Sequence, residues 1–146
     1  MKAVTIDEGR IAARNKLVDE HVRTENEHNL DALMGTLNDT PLFKLNSDEI
    51  SGHDNVRAFY ANLFRGFPDF HIDLMQRHVS DEAIILELII SGTHMNEWSG
   101  IPASGRRAQF PCCCVYPFDD NDRISGERVY FDFALLRRQL EVLPPQ

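Results

Sequence analysis

Apolar positions in the first third of the chain recur at helical spacing. Over residues 11–28, Ile11, Val18 and Val22 fall on one side and Leu17, His21, Glu25 and His28 on a neighbouring one, which predicts a first helix. Asn29 then stands as an N-cap, with Asp31 in the first turn and Leu30, Leu33, Met34 and Leu37 as an apolar stripe. Asn38-Asp39-Thr40-Pro41 is expected to stop that helix. Two short strands follow, 41–45 and 49–50, around the turn Asn46-Ser47-Asp48. Gly52-His53-Asp54 opens the most regular helix of the chain: Val56, Phe59, Tyr60, Leu63 and Phe64 keep i, i+3, i+4, i+7, i+8 spacing up to Gly66.

Beyond Pro68-Asp69 the period changes to two. Phe70, Ile72 and Leu74 alternate with His71, Asp73 and Met75, and Ser80-Asp81-Glu82 turns the chain into a long apolar strand at 83–94. Another strand covers about 107–118, with Phe110, Cys112, Cys114, Tyr116 and Phe118 on one face and Cys113 on the other. After the turn Asp119-Asp120-Asn121-Asp122 a last strand runs from Ile124 to about Phe133. Leu135, Leu136, Gln139 and Leu140 form a closing helix before Pro144-Pro145. Helices first and a meander of strands afterwards predict an α+β fold, with the helices on one face of an antiparallel sheet. Curved strongly, such a sheet encloses a pocket against its helices.

The 146 residues make one domain with room for a core, and 42% apolar with 26% charged residues is a globular composition. A formal charge of −8 argues against nucleic acid and suits a neutral or weakly charged small molecule. No apolar run approaches the roughly 20 residues of a membrane span, and Met1 to Arg14 has no signal-peptide pattern, so the expected location is the cytoplasm. Cys112, Cys113 and Cys114 lack metal-ligand spacing and read as small strand residues.

Candidate chemistry gathers where the strand at 83–94 ends. His94, Glu97 and Trp98 sit at its mouth, ahead of a loop carrying Gly100, Pro102 and Gly105, and loops on a rigid scaffold hold functional groups. His94 and Glu97 alone are too few for a metal site, and no metal or cofactor is expected. Asp132 stands between Tyr130-Phe131 and Phe133 to Leu136. Burial among rings raises an aspartate into the range of proton exchange, whereas an exposed one caps the last helix. Tyr60 and Phe64 are core residues, with the Tyr60 hydroxyl in reach of a ligand. His21 and His28, two helical turns apart, face either the pocket or solvent, solvent being the simpler case. Arg128 shares a strand face with Tyr130 and Asp132 if strict alternation holds, and can pair with the aspartate.

Four segments carry a family resemblance. They are Gly66-Phe67-Pro68-Asp69-Phe70; Gly92-Thr93-His94 with Gly100-Ile101-Pro102-Ala103-Ser104-Gly105-Arg106; the turn into Ile124; and Arg128-Val129-Tyr130-Phe131-Asp132 with Leu135 to Leu140. In their order and spacing over about residues 15–140, the chain resembles the SnoaL-like polyketide cyclases of the nuclear transport factor 2-like superfamily. The resemblance implies a cone-shaped α+β barrel, a deep apolar pocket, a homodimer and a hydrophobic carbonyl substrate. It implies Asp132 as general acid/base and His94 as a pocket residue; beside them, Trp98, Tyr60, Phe64, Tyr130 and His28 are the candidates for binding the substrate. The chain departs from the family at Asp122, where glycine is usual, and at Phe131, where tryptophan is common. The implied reaction is proton abstraction beside a carbonyl followed by aldol-type ring closure. Alternatives are a ketosteroid isomerase-like enzyme, an epoxide hydrolase-like enzyme (which would want an aspartate–arginine–aspartate set), and a non-catalytic binding module on the same fold.

Overall fold

The computed structural model describes residues 6–141; Pro144-Pro145, expected to stop the last helix, lie outside them. Helix α1 (Glu8–Asn26) starts where Asp7 accepts the Arg10 N–H at 2.8 Å, and α2 (Leu30–Gly35) where Asn29 accepts that of Ala32. Strands β1 (Leu37–Leu45) and β2 (Asp48–Ser51) form a hairpin, followed by α3 (His53–Gly66). Strands β3 (His71–Val79), β4 (Ala83–Thr93), β5 (Arg107–Pro117) and β6 (Ile124–Phe131) form the meander, and α4 (Phe133–Leu140) closes the chain. No helix of the described residues is long and apolar enough to cross a membrane.

The strands make one six-stranded sheet in the order β2-β1-β6-β5-β4-β3. All neighbours are antiparallel except β1 and β6, which run parallel. The curved sheet does not close into the expected barrel: β2 and β3 remain its two edges. Three sequence expectations shift. First, α1 stops at Asn26, so His28 leaves the helix face and takes a left-handed conformation at φ 55°. Second, α2 ends at Gly35, and Asn38 to Thr40 extend β1 because that strand finds a partner in β6. Pro41 is accommodated where the β1–β6 register shifts, as a residue without a ladder donor must be. The third shift is at Gly126.

Buried positions on β6 fall on even numbers at Ile124 and Gly126 and on odd numbers at Glu127 and Val129. A Cβ on Gly126 would lie 1.9 Å from the Leu42 carbonyl oxygen, so only glycine lets β1 approach here. Strict alternation counted from Ile124 therefore fails by one residue. Val129 and Phe131 pair with the inward Cys114 and Cys112, while Tyr130 pairs with the outward Cys113. Arg128, Tyr130 and Asp132 go to the other side.

Asp122 shows what replaces the usual glycine. It holds the turn before β6 at φ 57° and binds both Arg10 and Arg14, at 2.9 Å and 2.7 Å. Arg14 is buried, with its guanidinium 4.6 Å from the centre of the Phe118 ring. The turn is thereby tied to the first helix.

Candidate active site

The inner face of the sheet and helices α1, α3 and α4 enclose a narrow cavity of about 80 Å³. Its walls are mostly apolar, from Leu63, Phe67, Phe70, Leu88, Ile90, Phe110, Val129, Phe131 and Leu136. Trp98 reaches the cavity from the 94–106 loop. It is seated over Gly66, whose missing Cβ would stand 2.9 Å from the Trp98 Cβ. The polar contribution comes chiefly from Glu25, Tyr60, Tyr116 and Glu127.

Those groups converge because three elements aim at one point. On α1, Val18, His21 and Glu25 are buried at i, i+3 and i+7. Tyr60 comes from the buried stripe of α3, and Glu127 from the inward face of β6 beyond Gly126. His21 is fully buried and lies behind Glu127, with its Nε2 2.5 Å from Glu127 Oε1. Its Nδ1 lies 2.7 Å from Thr36 Oγ1, and the Thr36 hydroxyl donates to the Leu33 carbonyl at 2.6 Å. Because that hydroxyl proton is committed, Thr36 Oγ1 accepts from Nδ1–H. Nε2 therefore faces the carboxylate, and one proton must lie between Nε2 and Oε1. Tyr60 Oη donates to the same Oε1 at 3.0 Å. Oε1 thus shares one proton with His21 Nε2 and accepts a second from the Tyr60 hydroxyl.

Glu25 lies in a different environment. One of its oxygens is 3.9 Å from His21 Nε2, and among the described residues it receives no hydrogen bond, although the residue is only 6% exposed. Burial, and then the adjacent Glu127 charge, hold its carboxyl well above the usual carboxylate range. The same two causes push up the Tyr60 and Tyr116 hydroxyls. His21, Glu25 and Glu127 offer ligand atoms within 4.8 Å of one another, as a metal site would require. The 2.5 Å contact is however a hydrogen bond, closer than the roughly 3 Å separating two ligands about 2.1 Å from one ion. The set as it stands shares a proton and carries two carboxyls in unlike surroundings.

The residues expected from sequence separate into three groups. Tyr60 and Trp98 line the cavity. His94, Phe64 and His28 stand behind its wall. His94 is fully buried and stacks on Phe67 at 5.3 Å. Its Nδ1 accepts the Ser104 N–H at 3.3 Å, its Nε2 has no partner among the described residues, and burial lowers its pKa. Phe64 stacks between Tyr60 and His28, whose Nε2 donates to the Phe70 carbonyl. Asp132 and Tyr130 are outside. Asp132 is exposed and caps α4, accepting the Leu135 N–H at 2.9 Å, and Tyr130 is 49% exposed on the outer face. The assignment of a buried acid/base to Asp132 is thus corrected by the strand phase at Gly126. No ion pair joins Arg128 to Asp132 among the described residues. His21, expected in solvent, is instead buried at the centre of the site. The signal for it was present: His21 and Glu25 are four apart on a stripe that begins with Val18.

The family model for SnoaL-like polyketide cyclases matches residues 15–140. Among curated proteins none matches the chain. Solved structures agree in fold at low identity. A protein named as a SnoaL-like polyketide cyclase from Jannaschia sp. superposes with a TM-score of 0.85 at 16% identity, over 97% of this chain and 100% of that one. AclR from Streptomyces galilaeus, named as a hydroxylase, gives 0.79 at 18%, over 92% and 99%. An LEH-like epoxide hydrolase from M. tuberculosis gives 0.71 at 18%, over 89% and 90%. With the family model spanning nearly the whole described chain, this protein belongs to the SnoaL-like polyketide cyclase family.

Proposed function

We propose that the chain is a cyclase or isomerase working without a cofactor on a slender, hydrophobic carbonyl compound. It abstracts a proton next to the carbonyl, and the resulting enolate closes a ring in aldol fashion. The observation that carries this is Glu127 at the cavity floor, a carboxylate bound on Oε1 by His21 and Tyr60, with no protein hydrogen bond on Oε2 among the described residues. Glu127 thus takes the part expected of Asp132. Oε2 accepts the C–H proton while His21 positions Oε1. Apolar walls hold the chain folded near its attack geometry, which reduces the ordering left for the reaction step. The family resemblance adds a homodimer to this proposal.

Epoxide opening is a second candidate, favoured by one feature: the Glu25 and Glu127 carboxyls flank His21 as two carboxylates flank a cation in the expected set, although no arginine of the described residues lines the cavity.

Deuterium exchange at the acidic carbon of a panel of hydrophobic β-dicarbonyl compounds, followed by NMR in D₂O, reads the proton step without requiring ring closure. Wild type should exchange, and Glu127→Gln should be slower by about 10²–10⁴-fold. Exchange retained in Glu127→Gln overturns Glu127 as the base. If the fluorescence of Trp98, the single tryptophan, reports binding while wild type neither exchanges nor cyclises the panel, the chain is a binding module.

A further inference from the structure

Two carboxyls share this cavity, and their hydrogen-bond partners are unequal. Glu127 has two donors, whereas Glu25 has none among the described residues, and its closest cationic atom is His21 Nε2 at 3.9 Å. An ionised carboxylate at 6% exposure without a hydrogen-bond donor would recover only part of its desolvation cost from His21 Nε2 at 3.9 Å. Protonation removes that cost but creates a different demand: the carboxylic O–H needs an acceptor. The groups packed nearest are Glu127, His21, Tyr60, Tyr116, Cys112 and Cys114, and none of them accepts from Glu25. Its carboxyl lines the cavity, so the acceptor that fits is an oxygen of a bound molecule.

We propose that Glu25 is a neutral carboxylic acid donating its O–H to the carbonyl oxygen of the bound substrate, opposite Glu127, so that the site selects ligands with an acceptor oxygen beside an acidic carbon. This rests on the proton-abstraction reaction proposed above. In the step, Glu127 Oε2 takes the C–H proton and the C–H electron pair becomes the C=C bond. The carbonyl π pair moves onto oxygen, which takes the Glu25 proton. The products are an enol, a protonated Glu127 and an ionised Glu25. The pocket's total charge does not change; one negative charge passes from one side of His21 to the other. Carboxyls whose surroundings separate their proton affinities divide into base and acid in this way.

Infrared spectroscopy tests the protonation directly. Wild type at neutral pH should show the C=O stretch of a protonated carboxyl, shifted in D₂O and absent from Glu25→Gln; a wild-type spectrum without that band overturns the proposal. Substituted naphthols serve as enolate mimics for the donor. Affinity should survive within a few-fold in Glu25→Gln, whose amide still donates, and fall about 10- to 100-fold in Glu25→Leu. Equal affinity in Glu25→Leu, with its fold verified by circular dichroism, also overturns it. If the band and the naphthol preference are found but wild type catalyses no deuterium exchange, the proton-abstraction chemistry fails while the neutral donor stands.

Discussion

At the scale of single residues, one carboxyl becomes a base and another a helix cap through the partners each one finds. Asp132 and Glu127 are five positions apart on one strand and its exit, yet Asp132 meets the Leu135 N–H in solvent and Glu127 meets His21 in the core. Asp132→Ala should therefore lower stability by about 0.5–2 kcal/mol, the usual worth of an N-cap, and leave deuterium exchange and naphthol binding unchanged. Thermal melts and the exchange assay check this together, and loss of exchange at unaltered stability would return the chemistry to Asp132. Its apolar neighbours were legible in sequence. The direction of its side chain was not, because Tyr130, Phe131 and Phe133 surround a cap as readily as a buried acid.

Among the secondary-structure elements, the turn before β6 illustrates how a departure from the family pattern is accommodated. Asp122 occupies a left-handed conformation that glycine usually fills, and its bonds to Arg10 and Arg14 offset the strain. The Arg10 hydrogen bond, joined by Arg14, lowers the Asp122 pKa from 3.8 to about 2. A depressed carboxylate stabilises the fold above its unfolded pKa and loses that contribution as the pH falls through the folded value. Wild type should melt higher than Asp122→Asn at neutral pH, and the gap should close between about pH 4 and pH 2. A gap independent of pH would show that the ion pairs are not its source. Most elements, including α3, β4, β5 and the hairpin turn at Asn46, follow from periodicity and punctuation. The β1 extension and the β6 phase do not, since both arise from one parallel pairing between segments about 80 residues apart.

For the whole molecule, the sheet has two faces of different character. The inner one carries the cavity, and the outer one leaves Met75 64% and Tyr130 49% exposed around a shallow groove with Ile89 and Pro111. If the proposed homodimer uses that face, light scattering should give twice the 16.7 kDa chain mass, and Tyr130→Glu should reduce it to one. A monomeric wild type would remove the dimer from the proposal. Read alone, the sequence determined the α+β class and the order of nearly all elements, because these follow from short-range periodicity and local turn chemistry, and its four family-like segments carried the resemblance to the SnoaL-like family that the family model bears out. Tertiary structure alone decided which polar side chains meet in the cavity. His21, Glu25, Tyr60 and Glu127 come from two helices and a strand, and a single glycine contact between β1 and β6 sets which β6 side chains face inward.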